Sequence, residues 1–337
     1  MRHATVVGAG SFGTALAAHA ARSGFAVHLW ARRPEMVEEL ARERRNLRYL
    51  PEVTLPPEVE PTSDLDVAAD SDVVMMAAPS HGYREVLREV LSHWPREREL
   101  LLVSATKGIE TETLARMSQV SAEEADRVGQ QLRFGALSGP SFAAELAAGM
   151  PTAAVIASDD DALSRRLQEL LSSPTLRLYT SHDVVGVELG GAAKNVIAIA
   201  AGAVNGLGFG HNTLAALITR GLHEITRLGL ASGGEPRTFS GLAGLGDLVL
   251  TCTGGLSRNR RAGLALARGE KLAELERATG QVAEGVRTSL AITRLADRMG
   301  VDMPICQQMV EVIYGSKEPL HAIAELMLRE LKPESAL

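Results

Sequence analysis

The 337-residue chain has few cysteines and few aromatic residues. It contains only Cys252 and Cys306, which stand far apart and outside any metal-ligand spacing. This excludes a disulfide framework and a cysteine-based metal site, so we expect no bound metal, and it indicates a reducing compartment. Aromatic residues make up 4% of the chain, which argues against the base-stacking platforms that bind nucleic acids.

The chain also lacks excess positive charge and long apolar runs. Its formal net charge of -6 gives no electrostatic basis for binding nucleic acid or an anionic membrane. The longest strongly apolar run, residues 196–204, is far shorter than the ~20 residues of a membrane span. A predicted strand begins at about Thr5 and leaves no room for a signal peptide. We therefore expect a cytoplasmic protein with no membrane span.

What is present is the composition of a globular protein with one clear motif near its start. The chain is 45% apolar and 23% charged, and its length suggests two domains. A β-branched run leads into Gly8, Gly10 and Gly13 in Gly-x-Gly-x-x-Gly spacing, and an alanine-rich helix follows. These glycines suit a tight turn, close approach of a pyrophosphate and close helix–strand packing. The motif predicts a dinucleotide site; the alternative is a glycine-rich turn without a ligand.

Two arginines follow the second predicted strand, residues 26–30. In dinucleotide-binding folds an acidic residue about 20 positions after the glycines binds the ribose 2′-hydroxyl. Arg32 and Arg33 stand there instead, and guanidinium groups suit a 2′-phosphate, which favours NADP over NAD. The alternative is a solvated helix entry. We interpret the charged segment 42–49 as mostly a solvated helix end, with Tyr49 a candidate for the adenine.

Several further predicted strands end in polar loops. Lys107 lies at the carboxyl end of one of them, and Gly139 and Ser141 follow the next. Ligands of open α/β sheets bind at the carboxyl ends of the strands, so we expect these residues to line a cleft. Alternatively, Lys107 is a surface charge and Ser141 caps a helix that begins at Phe142. The predicted strands cover residues 72–78, 100–108, 134–138, 153–157 and 176–179.

From about residue 183 the pattern changes from strands to long helices. We therefore predict an α/β fold with an N-terminal Rossmann-type dinucleotide-binding domain, residues 1–183, and a mostly α-helical substrate-binding domain, residues 184–337. The predicted helices cover residues 184–204, 213–228, 257–267, 288–299 and 305–313.

One of these helices places Lys194 among small residues. Gly190 and Gly191 each cost about 1 kcal/mol in a helix, which indicates close approach of another helix or a ligand. Desolvation disfavours the charged form of an amine and so suits Lys194 to proton transfer, although a lysine extending to solvent is the alternative. Asp247 follows a glycine-spaced turn and is either a partner for Lys194 or a helix N-cap.

A polar cluster opens another predicted helix. Ser257 is placed to cap it, and Arg258 and Asn259 follow directly. The positive end of the helix dipole together with the guanidinium makes an anion pocket, where a substrate phosphate is expected.

In this order, the motifs resemble those of bacterial NAD(P)-dependent glycerol-3-phosphate dehydrogenases over essentially the whole chain. One small departure is Phe12, where the family more often has tryptophan; a backbone contact to phosphate should survive it. The motifs are residues 8–17, 106–108, 138–143, 190–195, 241–247, 257–259 and 281–285.

The resemblance implies reversible reduction of dihydroxyacetone phosphate to sn-glycerol 3-phosphate for phospholipid synthesis, by a homodimer in the cytoplasm. Lys194 is similar to the family's proton acceptor, and we assign oxyanion stabilisation to Lys107 and orientation of Lys194 to Asp247. The implied substrate contacts are Lys107, Gly139, Ser141, Lys194, Asp247, Ser257, Arg258 and Asn259. With the three glycines of the motif, the cofactor contacts are Ser11, Phe12, Arg32, Arg33, Tyr49, Lys107, Ala143, Arg258, Val282 and Glu284.

Two other functions remain open from the residues alone. A dehydrogenase of similar two-domain plan, acting on a 3-hydroxy acid or a ketopantoate-like substrate, would also use an arginine such as Arg258 for its carboxylate. A non-catalytic NADP-sensing protein would need no buried pair of Lys194 and Asp247.

Overall fold

The computed structural model describes residues 2–272, 274, 283–331 and 333–334. It divides the chain into two compact units. The first comprises Met1–Lys107 and Ala115–Val184, and the second comprises Gly108–Leu114 and Val185–Leu337. The short segment Gly108–Leu114 belongs to the second unit because Ile109 is buried in that unit's hydrophobic core.

The first unit is built on an eight-stranded sheet in the order β10-β9-β8-β7-β6-β1-β2-β5. All neighbouring strands are parallel except β8 and β9, and β3 and β4 form a separate antiparallel ribbon. From β5 to β8 the order is that of the doubly wound dinucleotide-binding sheet. The strands are β1 (Arg2–Val7), β2 (Phe25–Trp30), β3 (Arg45–Asn46), β4 (Leu50–Thr54), β5 (Val59–Thr62), β6 (Val73–Met76), β7 (Leu100–Ser104), β8 (Leu132–Ser138), β9 (Thr152–Ala157) and β10 (Leu176–Ser181).

Helices cover both faces of this sheet, which is why its central strands are apolar throughout. Val6 and Met75 are buried in a core with α1, α2, α5 and α6, while Val7 and Val74 are buried in a second core with α3 and α4. The helices are α1 (Ser11–Arg22), α2 (Pro34–Glu43), α3 (Ser80–His93), α4 (Met117–Val128), α5 (Ala143–Ala147) and α6 (Asp161–Leu171).

Helices form the second unit around α7, which is buried along nearly its whole length. By length and composition α7 could cross a membrane, but 94% of its most apolar window is buried, as in the core helix of a globular fold. The described helices are α7 (Val184–Gly206), α8 (His211–Ala231), α9 (Pro236–Ser240), α10 (Asp247–Thr253), α11 (Arg258–Ala267), α12 (Glu284–Met299), α13 (Pro304–Tyr314) and α14 (Pro319–Met327).

The predicted α/β fold, with a Rossmann-type sheet followed by a mostly helical part, is confirmed. The predicted strands and helices are all present, with ends that differ by a few residues. The close approach predicted at Gly190 of α7 is also confirmed. A Cβ on Gly190 would lie 2.9 Å from the backbone oxygen of Ala243, in the π-helical turn Leu242–Gly246.

The core of the second unit contains a carboxyl group, Glu224 on α8, that has no exposure to solvent. It accepts the backbone N–H groups of Ile305 (2.7 Å) and Cys306 (3.2 Å) and so satisfies the first turn of α13. Burial raises the pKa of Glu224 from 4.5 to about 7, against the opposing effects of those N–H groups and of Arg227. Its protonated form is therefore favoured by the folded state.

Glu224 should make stability fall as the pH rises. Its contribution is complete below the unfolded pKa of 4.5 and is lost as the pH rises through the folded value of about 7, a change of roughly 3 kcal/mol. Glu224→Gln removes this titration, so the free energy of unfolding of the wild type relative to the variant should fall between about pH 4.5 and pH 8. Denaturant unfolding of both proteins across that range measures it. An equal difference at both ends would contradict the raised pKa.

Candidate active site

The glycine loop of the first unit is tightly packed on one side and open on the other. Gly8 has φ +119°, and a Cβ there would lie 2.9 Å from the backbone of Ala77, just beyond β6. A Cβ on Gly13 would lie 1.9 Å from the oxygen of Gly8, whereas one on Gly10 meets no atom within 4 Å. Gly10 immediately precedes α1, whose first N–H groups have no acceptor inside the helix. The open face therefore fits a dinucleotide pyrophosphate.

The segment from residue 42 to 49 is mostly exposed, as predicted, but only its first two residues are helical, so the interpretation as a helix end was wrong beyond Glu43. Helix α2 ends at Glu43, and Asn46 in β3 is completely buried. Tyr49 is partly buried, and its carbonyl oxygen accepts the hydroxyl of Ser11 at 3.0 Å. Tyr49 is thereby connected to the first residue of α1.

The two arginines proposed for the 2′-phosphate are both exposed at the start of α2. Arg32 Nη2 lies 3.3 Å from Glu85 Oε2, in a pair whose side chains are 65% and 77% exposed. Such a pair contributes little free energy because both charges remain solvated. The Arg32 guanidinium is therefore available to a stronger anion. Arg33 Nη2 contacts the sulfur of Met36 at 3.9 Å.

Two side chains converge on one carbonyl group beyond β8. Lys107 Nζ and Ser141 Oγ both donate to the oxygen of Gly139, each at 3.0 Å. Lys107 Nζ also lies 5.8 Å from the centroid of the Phe12 ring, within cation–π range. Ser141 does not cap a helix: α5 begins at Ala143, and the Ser141 hydroxyl turns back to Gly139 instead. The structure thus brings together Lys107, Gly139 and Ser141.

In the second unit, Lys194 and Asp247 form a buried ion pair. Their side chains are 6% and 2% exposed, and Lys194 Nζ donates to Asp247 Oδ1. Lys194 Nζ also donates to Thr251 Oγ1 at 2.8 Å, and Thr251 donates in turn to the Asp247 carbonyl at 2.6 Å. Lys194 therefore does not extend to solvent, and Asp247 is the first residue of α10 and not its N-cap. The geometry holds one amine in a fixed position.

The thiol of Cys252, which lies near this pair, is kept protonated by burial. Cys252 is fully buried, and burial raises its pKa to about 12. The charges of Lys194 and Asp247 act on it in opposite directions, and the first lowers the pKa while the second raises it. The protonated thiol is therefore the favoured form at neutral pH, and it is a weak nucleophile.

The predicted phosphate cluster lies at the start of α11. Ser257 is the N-cap and accepts the backbone N–H of Arg260 at 3.1 Å, as predicted. Arg258 is exposed, while Asn259 is buried and donates to Asn195 Oδ1 at 2.8 Å. The oxygen of Asn259 accepts the backbone N–H of Gly285 at 2.9 Å. Asn259 therefore joins α11 to α7 and to the start of α12.

The remaining cofactor candidates lie at helix starts or outside the described residues. Ala143 is the first residue of α5 and packs partly against the core of the first unit, and Glu284 is the first residue of α12. Val282 lies outside the described residues. In the part of the chain that the structure describes, no three His, Cys, Asp or Glu side chains are placed to hold a metal ion.

Two polar residues of the second unit were not singled out from the sequence. Thr251 bonds to Lys194, and its position four residues after Asp247 on one helix face was the available signal. Asn195 follows Lys194 directly, but its contact with Asn259 joins residues 64 positions apart, which no local pattern indicates.

A doubly wound sheet with a glycine loop, and a helical unit with a buried lysine–carboxylate pair, are features that fit a nicotinamide-dependent dehydrogenase. Comparison with known proteins gives the particular family. The family models for the NAD-dependent glycerol-3-phosphate dehydrogenase N-terminus and C-terminus match residues 3–164 and 183–324. The chain belongs to this family.

Individual relatives agree with that assignment. The chain is 49% identical over 330 residues to a glycerol-3-phosphate dehydrogenase [NAD(P)+] of Syntrophotalea carbinolica, with 98% of each chain covered. A crystal structure of the Coxiella burnetii glycerol-3-phosphate dehydrogenase matches with a TM-score of 0.92 and 38% identity, covering 97% of this chain and 99% of that one. A ketopantoate reductase of Ralstonia eutropha matches with a TM-score of 0.58 and 17% identity, covering 95% and 99%, which is a likeness of fold alone.

Proposed function

We propose that this chain is an NAD(P)-dependent sn-glycerol-3-phosphate dehydrogenase that reversibly reduces dihydroxyacetone phosphate for phospholipid synthesis. In this proposal residues 1–183 bind the cofactor and residues 184–337 hold the substrate. The observation that carries it is the buried amine of Lys194, held by Asp247 and Thr251 in a member of this family. A binding protein without catalysis would have no use for such a pair.

Cofactor binding is assigned to the glycine loop and its neighbours in the first unit. Gly8 and Gly13 keep the loop tight, and Gly10 leaves the start of α1 open to the pyrophosphate. When bound, the nicotinamide supplies a hydride to C2 of dihydroxyacetone phosphate and accepts it in the reverse direction. The further cofactor contacts proposed are Ser11, Phe12, Arg32, Arg33, Tyr49, Lys107, Ala143, Arg258, Val282 and Glu284.

Proton transfer is assigned to Lys194. During reduction it donates a proton to the substrate carbonyl oxygen, and during oxidation it takes the proton back. Asp247 and Thr251 hold the amine in one orientation, so that no side-chain ordering is needed at the moment of transfer. Stabilisation of the developing oxyanion is assigned to Lys107, whose amine donates to the carbonyl of Gly139.

The substrate phosphate is assigned to the start of α11. Arg258 supplies the guanidinium, and Ser257 and Asn259 lie on either side of it at the positive end of the helix dipole. Binding the phosphate fixes the reacting carbon, because a held substrate needs no further orientation. Gly139 and Ser141 complete the proposed substrate contacts.

One assay tests the proposed function against its alternatives. Loss of NADPH absorbance is followed with dihydroxyacetone phosphate, with ketopantoate and without substrate. We expect turnover of NADPH with dihydroxyacetone phosphate, and none with ketopantoate or without substrate. Turnover with ketopantoate alone would favour the related dehydrogenase, and NADPH binding without any turnover would favour a sensing protein.

The cofactor preference depends on Arg32. Arg32→Ala should raise the KM for NADPH about tenfold or more and change the KM for NADH less than about twofold, because only NADPH carries the 2′-phosphate. Steady-state kinetics with both cofactors measures this. Glu85→Gln is the matched control, since it removes the ion-pair partner and leaves the guanidinium in place. Equal effects of Arg32→Ala on both cofactors would remove the 2′-phosphate assignment.

Assembly and location follow from the family resemblance and are part of the proposal. The chain is assigned to a cytoplasmic homodimer. Both cysteines are free and buried, which fits a reducing compartment. Light scattering on the purified protein should give twice the mass of the chain.

A further inference from the structure

The buried side chain of Asn46 contacts the glycine loop directly. Asn46 Nδ2 donates to the carbonyl oxygen of Ala9 at 3.0 Å and to Thr14 Oγ1 at 2.7 Å. Asn46 Oδ1 accepts the backbone N–H of Tyr49 at 3.1 Å. Asn46 has no exposure to solvent, so water cannot replace these bonds if they are lost.

The chemistry of the partners allows only one orientation of this amide. The Ala9 carbonyl can only accept, so the nitrogen of Asn46 must face it, and the Tyr49 N–H can only donate, so the oxygen must face that. An asparagine therefore matches the site at both ends. Aspartate, which is isosteric, cannot donate when ionised.

The bond to Ala9 controls the part of the loop that faces the cofactor. Ala9 lies between Gly8 and Gly10, and glycine tolerates backbone angles that other residues do not, so the peptide between Ala9 and Gly10 could rotate at small cost. Rotation would turn the Ala9 carbonyl oxygen towards the open face at Gly10, where it would repel a phosphate. The buried hydrogen bond from the Asn46 amide holds that oxygen and so opposes the rotation.

The same amide also connects two parts of the proposed cofactor site in the first unit, the glycine loop and Tyr49. Tyr49 is bonded to Asn46 through its N–H and to Ser11 through its carbonyl oxygen. Ser11 begins α1, and Thr14, the other acceptor of Asn46, lies in the first turn of the same helix. A single side chain thus fixes the glycine loop, the start of α1 and the turn that carries Tyr49.

We propose that Asn46 is a positioning residue for the cofactor, which keeps the glycine loop in the conformation that accepts the pyrophosphate. The inference rests on the proposed role of this loop in NAD(P) binding. It assigns to Asn46 an effect on cofactor affinity and none on the chemical step.

The first test is the dissociation constant of NADPH, measured by calorimetry on folded protein. Asn46→Ala should raise it about tenfold or more, because the Ala9 carbonyl loses a buried donor. The kcat at saturating NADPH should stay within about twofold of the wild type, since Asn46 touches no reacting group. Thr14→Val, which keeps Asn46 and removes one acceptor, should give a smaller rise of about two- to fivefold.

Asn46→Asp supplies a second readout through pH. Its carboxylate cannot donate to Ala9, but protonation restores one donor, so the ratio of the variant's dissociation constant to that of the wild type should fall as the pH is lowered through the pKa of the introduced carboxyl group, which NMR titration of the variant locates. A role confined to packing predicts no such pH dependence of the ratio.

Thr5→Val is the matched control for lost stability. Thr5 Oγ1 and Ser71 Oγ form a buried hydrogen bond of 2.7 Å in the same unit, with no bond to the loop. This variant should lower the Tm and leave NADPH affinity unchanged.

The Asn46 inference is overturned if Thr5→Val weakens NADPH binding as much as Asn46→Ala does, or if the Asn46 variants bind NADPH like the wild type. A wild-type protein that fails to bind NADPH would instead overturn the proposed function, and this inference with it.

Discussion

Replacing Lys194 by alanine should lower kcat for reduction of dihydroxyacetone phosphate by about a thousandfold, because a positioned proton donor contributes about 10²–10⁴ in rate. The KM for the substrate should change much less, since Arg258 and its neighbours still bind the phosphate. Steady-state kinetics with NADPH measures both quantities. Turnover near that of the wild type, in a variant with normal folding, would remove Lys194 from the proposed mechanism.

A control is needed because Lys194→Ala also leaves Asp247 buried without its counter-ion. Breaking a buried pair in this way costs about 3–5 kcal/mol of stability, whereas removing both charges costs much less. We therefore expect the double variant Lys194→Ala/Asp247→Asn to recover most of the lost Tm and none of the lost kcat. Recovery of kcat together with Tm would show that Lys194 acts on stability and not on the reaction.

The glycine loop could be predicted because its determinants are local. A strand, three glycines at fixed spacing and a helix follow one another within the first 22 residues, and each supports the same interpretation. The packing confirms the reason for two of these glycines, since a Cβ on Gly8 or Gly13 would meet backbone atoms. At this loop, the local sequence pattern and the observed packing therefore lead to the same conclusion.

The burial of Asn46 could not be predicted, because it depends on residues distant in the chain. Asn46 lies among arginines, a composition typical of a solvated surface. Its partners Ala9 and Thr14 are 37 and 32 positions away, and only the folded sheet brings them to its amide. The composition of this segment correctly predicted that Arg42, Arg45 and Arg48 are exposed to solvent. It wrongly predicted the same for Asn46, which is buried.

The pair of Lys194 and Asp247 could be predicted only in part. Each residue was singled out from its own surroundings, and the sequence suggested the pairing without excluding the alternatives of a solvated lysine and a helix cap. The contact joins residues 53 positions apart, and it depends on the π-helical turn that packs against Gly190 of α7. Thr251 was missed because a threonine inside a helix has several ordinary explanations.

The second large effect is expected from Gly13→Ala, with Gly10→Ala as its matched partner in the same loop. A Cβ on Gly13 would lie 1.9 Å from the oxygen of Gly8, so the loop or α1 must move. Overpacking of this kind costs about 1–3 kcal/mol or more, and the displaced loop should weaken NADPH binding by about a hundredfold. Thermal unfolding and calorimetric titration measure the two effects.

The Gly10→Ala variant distinguishes an effect on folding from an effect on NADPH binding. Gly10 has φ −76°, which alanine adopts without strain, and a Cβ there meets no protein atom within 4 Å. The Tm should therefore remain close to that of the wild type, while the new methyl group occupies the face proposed for the pyrophosphate and raises the NADPH dissociation constant about tenfold. Wild-type affinity in Gly10→Ala would place the pyrophosphate elsewhere. Loss of affinity with unchanged Tm would show that Gly10 is needed for the cofactor and not for the fold.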